Sequence, residues 1–221
     1  MTKPKVFLTR RWPIEAELTL SKSFNVTLNK SDLPLSRDQI AKGFSTHDAL
    51  APTVSDKIDS YIIESGANGK GKIISNFGVG INHIDLKTCK NFHIPVTNTP
   101  GVLTDATADL TLLLMLMISR RAGEGERELR SGLWSGWTPT YLMGSQMSNK
   151  VLGIVGMGRI GQAVAKRASL GFNMKVFFYN RSKIESNFSF NCRQIDSLME
   201  LCKKSDFISL HCPGDKSTRH I

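Results

Sequence analysis

Disulfide and metal chemistry have little to draw on in this chain. It carries only 4 cysteines, Cys89, Cys192, Cys202 and Cys212, with no Cys-x-x-Cys pair and no histidine at ligand spacing, so neither a disulfide framework nor a zinc site is implied. Long apolar runs are lacking too. The longest, Leu110 to Ile118, is about half of the ~20 residues needed to cross a bilayer. The first residues, Thr2-Lys-Pro-Lys-Val-Phe7, hold no signal-peptide core and run straight into a strand pattern. A soluble, cytoplasmic protein with reduced thiols is the expectation, with no membrane partner. Acidic residues are also short, 19 against 29 Lys and Arg, for a formal charge of +10. That excess is spread along the chain without an aromatic-basic motif, which argues against nucleic acid and suits small anionic ligands.

What is present is a glycine-spaced turn. Val151-Leu-Gly-Ile-Val-Gly156-Met-Gly158-Arg159-Ile160-Gly161-Gln-Ala163 joins an apolar run to a helix-forming stretch. In such a unit the first glycine permits a sharp turn, the second lets the backbone approach a pyrophosphate, and the third allows close helix packing. The motif alone is weak evidence, and its context strengthens it. Val151 to Val155 reads as a buried strand, Ile160 to Leu170 as a helix and Lys175 to Tyr179 as the next strand. Beyond that strand an NAD site would carry an acid for the ribose hydroxyls. Here stand Asn180, Arg181 and Ser182, which offer donors to a 2′-phosphate and no repelling carboxylate, so NADP(H) is favoured and NAD(H) is the fallback.

Apolar runs at Val6–Leu8, Val26–Leu28, Ala49–Leu50, Ile73–Phe77 and Ile94–Thr97 alternate with helical stretches at Glu15–Leu20, Arg37–Lys42, Lys57–Glu64 and Ile84–Asn91. Alternation of this kind predicts a parallel sheet flanked by helices. After Asn98-Thr-Pro-Gly101 the sequence predicts one long helix from Thr104 to about Arg130, with Asp105 and Asp109 near its positive end. Leu112, Leu113, Leu116 and Met117 make it a buried helix or a subunit interface. Residues 131–149, rich in Gly, Ser and Trp, read as an arm. The expectation is an α/β chain with a first domain at 1–100 and a cofactor domain at 101–221.

Three signatures in order, Asn98-Thr-Pro-Gly-Val-Leu-Thr-Asp-Ala-Thr-Ala-Asp109, Trp134-Ser-Gly-Trp137-Thr-Pro139 and Gly156-Met-Gly-Arg-Ile-Gly-Gln-Ala163, resemble the D-isomer-specific 2-hydroxyacid dehydrogenases, nearest to their glyoxylate and hydroxypyruvate reductases. The resemblance covers essentially the whole chain. It implies a flavodoxin-like substrate domain, a Rossmann cofactor domain, and NAD(P)H-dependent reduction of a short 2-keto acid to the D-2-hydroxy acid. Asn76-Phe77-Gly78-Val79-Gly80 looks like the family's carboxylate loop, with the amides of Val79 and Gly80 gripping the acid. A glycine-rich turn after a strand can aim two amides at an anion. Leu50, with Ala51 and Pro52, is implied to shape the pocket wall. Cofactor contacts carry over to Thr107, Gly156, Gly158, Arg159, Ile160, Gly161, Asn180, Arg181, Ser182, Cys212, Pro213 and Thr218. The helix at 104–130 and the arm bearing Trp134 and Trp137 are implied to form a homodimer interface.

The family's catalytic Arg, Glu and His are expected beyond Ile221, so the 221 residues alone are expected to be inactive. Phe207 to Leu210 reads as the third strand of the cofactor domain, and a half sheet is expected to expose the flank of Val151–Val155. Of His47, His83, His93, His211 and His220, the nearest to the carboxylate loop is His83. Its only neighbouring acid, Asp85, is more simply a helix N-terminal residue. A non-catalytic dinucleotide-sensing or dimerisation module is the alternative reading.

Overall fold

In the N-terminal half, β-branched and aromatic runs form short strands because each places apolar residues into a layer that helices cover on either side. The computed structural model describes residues 2–185, 188–214 and 216–221. It divides into two units, Met1–Gly101 and Val102–Ile221.

The first unit is built from β1 (Lys5–Leu8), α1 (Ile14–Ser23), β2 (Asn25–Leu28), α2 (Arg37–Thr46), β3 (Ala49–Ala51), α3 (Ser60–Ala67), β4 (Ile73–Ser75), α4 (Leu86–Asn91) and β5 (Val96–Thr97). Its strands are all parallel, in the order β2-β1-β3-β4-β5, the flavodoxin-like order. Local sequence fixes the helix starts. Ser36 caps α2 while Gln39 accepts from the Ser36 N–H at 2.8 Å, and Asp59 and Asp85 cap α3 and α4. The N–H groups so satisfied would otherwise have no partner. Phe44, fully buried, fills the core with Ile40, Leu50, Ile58, Ile62 and Ile74.

The second unit contains α5 (Thr104–Ser119), α6 (Ala122–Arg130), β6 (Val151–Val155), α7 (Arg159–Phe172), β7 (Lys175–Tyr179), β8 (Cys192–Gln194), α8 (Leu198–Lys204) and β9 (Phe207–Leu210). The predicted single helix at 104–130 is two helices. Arg121 takes φ +53 between them, a left-handed conformation that ends the i to i−4 ladder without glycine or proline to announce it. Only part of the apolar surface of α5 turns inward. Ala108, Leu112 and Met115 join the core under β6 and α7, whereas Leu110, Leu113, Leu114, Met117 and Ile118 are exposed. Arg167 of α7 clips the helix pair by donating to Asp105 at 2.9 Å and to Asp109 at 2.7 Å.

The sheet order corrects two expectations. It runs β8-β7-β6-β9, all parallel, so β9 is the fourth strand and returns to the far side of β6. The flank of Val151–Val155 is therefore covered, and Leu152, Ile154 and Val155 are buried. The edge strands are β8 and β9, and on β9 Ile208 is 47% and Leu210 61% exposed. Among the described residues no helix is long and apolar enough to cross a membrane.

Candidate functional site

At β6 the strand order reverses, with β7 on one side and β9 on the other, and dinucleotides bind at the carboxyl ends of strands at such a switch point. The glycine turn stands there. Gly156 takes φ +95 and donates its N–H to Tyr179 O at 2.9 Å. A Cβ on it would stand 2.6 Å from the Cys212 nitrogen, so glycine is required for the turn to pass the β9 loop as well as for its φ. Gly158 is the N-cap of α7, and the space where its Cβ would point is open to at least 4 Å. Neither a side-chain cap nor an acidic first-turn residue occupies this helix end. The first backbone bond across it is Gln162 N–H to Gly158 O at 2.9 Å, which leaves the amides of Arg159, Ile160 and Gly161 without an intrahelical acceptor. A diphosphate suits that donor set, because the orphan N–H groups and the helix dipole both favour anions.

Asn180, Arg181 and Ser182 follow directly on β7. Asn180 Oδ1 accepts from the Met157 N–H at 3.4 Å, and its Nδ2 donates to Ser182 O at 3.2 Å, tying the strand end to the glycine turn. Arg181 is exposed and donates to Ser217 Oγ at 3.4 Å. No carboxylate stands among these three residues, so an added phosphate would meet a guanidinium and a hydroxyl.

Beyond β9, Cys212 is half-buried, and Thr218 donates to the Pro213 carbonyl at 2.6 Å, which closes that loop. Thr107, on α5, helps to line a cavity of about 450 Å³ with Leu110, Thr111, Ser209 and His211. Burial lowers the pKa of His211, and its Nε2 lies 2.9 Å from Ser209 Oγ.

In the first unit, the ends of β3 and β4 carry the second group of candidate residues. Leu50 is fully buried in the core, so its side chain supports this rim from beneath. Gly78 takes φ +149, and a Cβ there would stand 2.8 Å from Val54 Cγ1, which reserves the position for glycine. Asn76, 2% exposed, donates through Nδ2 to Gly78 O at 3.1 Å and to Gly80 O at 2.9 Å. Asn98 donates to Val79 O at 2.9 Å. Among the described residues neither the Val79 nor the Gly80 N–H has an acceptor. The loop therefore presents donors without a cation, a suitable seat for a carboxylate.

His83 Nε2 lies 2.9 Å from Asn76 Oδ1. Burial lowers its pKa, opposed by the charge of Asp56. Asp85 is occupied with Thr88, accepting its N–H at 3.1 Å and its hydroxyl at 2.7 Å, and is thus a helix cap. Sequence reasoning did not single out Asn76, Asn98 or the Arg181–Ser217 contact. Asn98 and Arg181 act through partners 19 and 36 residues away, whereas Asn76 bonds within its own loop, to Gly78, Gly80 and His83, through contacts that no hydrophobic period or glycine spacing marks.

Residues 112–221 match the family model described as D-isomer specific 2-hydroxyacid dehydrogenase, NAD binding domain. The glyoxylate reductase of Thermococcus litoralis is 42% identical over 99% of this chain, which spans 66% of that relative. The glycerate dehydrogenase of Hyphomicrobium methylovorum is 37% identical over the whole chain, which spans 69% of its length. A crystal structure of a putative D-isomer specific 2-hydroxyacid dehydrogenase from Polaromonas sp. JS6 66 superposes with a TM-score of 0.90 at 35% identity, covering 97% of this chain and 67% of that one.

Proposed function

The chain belongs to the D-isomer-specific 2-hydroxyacid dehydrogenase family, and from that premise we propose that the whole protein reduces a short 2-keto acid, glyoxylate or hydroxypyruvate, to the D-2-hydroxy acid with NADPH. In this reading the first unit is the substrate domain and the second the cofactor domain. The observation that carries it is the 76–80 loop, where three carbonyls are held and two neighbouring amides are left to donate.

Val79 and Gly80 hold the substrate carboxylate through their N–H groups, with Leu50 fixing the rim below. Gly156, Gly158, Arg159, Ile160 and Gly161 receive the pyrophosphate, whose charge the helix dipole favours. Arg181 and Ser182 receive the 2′-phosphate, with Asn180 holding the strand end in register. Cys212, Pro213 and Thr218 border the adenine, and Thr107 approaches the nicotinamide phosphate. When bound, the nicotinamide supplies hydride to the keto carbon. His83 and His211 are each within hydrogen-bond reach of a neighbouring side chain, and burial lowers the pKa of both; neither is assigned the proton that the carbonyl oxygen needs.

The exposed apolar face of α5 and the exposed Trp134 and Trp137 support a homodimer. Scattered apolar side chains are ordinary, but five on one helix are a contiguous patch of the kind that partners cover. The test of the activity is NADPH oxidation by the whole protein with glyoxylate and hydroxypyruvate. Turnover supports the reading, and no turnover with any short 2-keto acid rejects it.

A further inference from the structure

A trans peptide holds its C=O and N–H on opposite sides, so whatever grips the carbonyl of one residue sets the direction of the next residue's N–H. The carbonyl of Gly78 belongs to the same peptide group as the Val79 amide. It accepts from Asn76 Nδ2 and from the Thr99 N–H, each at 3.1 Å. The carbonyl of Val79, sharing its peptide group with the Gly80 amide, accepts from Asn98 Nδ2 at 2.9 Å. Both amides of the loop are thereby turned away from the two asparagines.

We propose that Asn76 and Asn98, with His83 fixing Asn76, are positioning residues that aim the Val79 and Gly80 N–H groups at a substrate carboxylate. This rests on the reading of the loop as the carboxylate site. Asn76 spends Nδ2 on the carbonyls of Gly78 and Gly80, so its Oδ1 must face a donor, and that donor is His83 Nε2 at 2.9 Å. The histidine therefore carries its proton on Nε2. Asn76 is almost fully buried, where a side-chain amide holds its orientation only with all its partners in place. The loop is set before the anion arrives, and binding avoids the cost of ordering it.

The test measures oxalate binding by calorimetry and glyoxylate kinetics on the whole protein. Oxalate offers the same carboxylate without turnover. Asn76→Asp replaces a donor with an acceptor facing carbonyls. Asn98→Ala, at an exposed position, removes the other grip with little risk to folding. The expected result for each is an oxalate Kd and glyoxylate KM raised about tenfold, the loss of one hydrogen bond's worth of alignment. The fall in kcat is smaller, and NADPH affinity is unaltered. His83→Leu raises KM likewise, and His83→Gln, whose amide can donate in place of Nε2, recovers most of that loss. An unchanged oxalate Kd in both asparagine variants overturns the proposal. So does a rise that tracks a fall in NADPH affinity and Tm, which marks general damage. If the wild type binds oxalate and the variants do not, yet no 2-keto acid is reduced, the loop assignment stands and the reductase reading fails.

Discussion

A Cβ on Gly161 would stand 2.3 Å from the carbonyl oxygen of Gly156. The helix α7 lies this close to the turn that precedes it, and the contact is with backbone, which cannot rotate aside. Gly161→Ala must push the helix off the turn, and overpacking of this kind costs about 1–3 kcal/mol. The expected outcome is a lowered denaturation midpoint together with weaker NADPH binding, measured by urea titration and by fluorescence. A variant with both values unchanged contradicts the packing described here.

Arg181 follows β7 with no carboxylate in its neighbours Asn180 and Ser182. A hydrogen bond to a charged group contributes about 1.5–3 kcal/mol, so Arg181→Asp should weaken NADPH binding by roughly ten- to a hundredfold. NADH binding should hold or improve, since the new carboxylate can accept from the ribose hydroxyls. Dissociation constants for both dinucleotides check this, and an unchanged preference removes Arg181 from the 2′-phosphate contact.

Ile118 is 79% exposed on α5, beside exposed Leu114 and Met117. If this face is the homodimer interface, Ile118→Glu buries a charge in it and should shift the whole protein from dimer to monomer in sedimentation. A wild type that sediments as a monomer, or a variant that stays dimeric, places the interface elsewhere.

Glu17 is 5% exposed. It accepts from Arg11 Nε and Nη2 at 2.8 and 2.7 Å and from the Trp12 N–H at 2.8 Å. The Arg11 bonds lower its pKa, burial opposes them, and the Trp12 amide lowers it further. A carboxylate with a depressed folded pKa contributes stability that is present above the unfolded value, about 4.3, and lost as pH falls through the folded one. Glu17→Gln should thus be less stable than wild type near pH 7, with the gap closing on acidification below about pH 4. Urea midpoints across that range measure it, and a gap that widens in acid contradicts the assignment.

Where structure is dictated by local pattern, the sequence was a sufficient guide. Val151–Val155 and Lys175–Tyr179 are strands as their apolar runs imply, and the glycines between them mark the turn because positive φ and close approach demand them. The helix break at Arg121 escaped notice because a non-glycine residue adopts the left-handed conformation there. The strand Cys192–Gln194 is only three residues long, so neither length nor alternation marks it. The placement of β9 beside β6 is a choice between sheet edges, which depends on tertiary packing. At the carboxylate loop the glycines were legible. The asparagines that orient it were not, since Asn98 reaches Val79 across 19 residues.

The most direct measurement is the rate of NADPH oxidation by the whole protein with glyoxylate and hydroxypyruvate, with the product's chirality determined. The account predicts turnover, D-glycerate from hydroxypyruvate, and inhibition by oxalate. An absence of turnover with every short 2-keto acid, or an L-configured product, contradicts it.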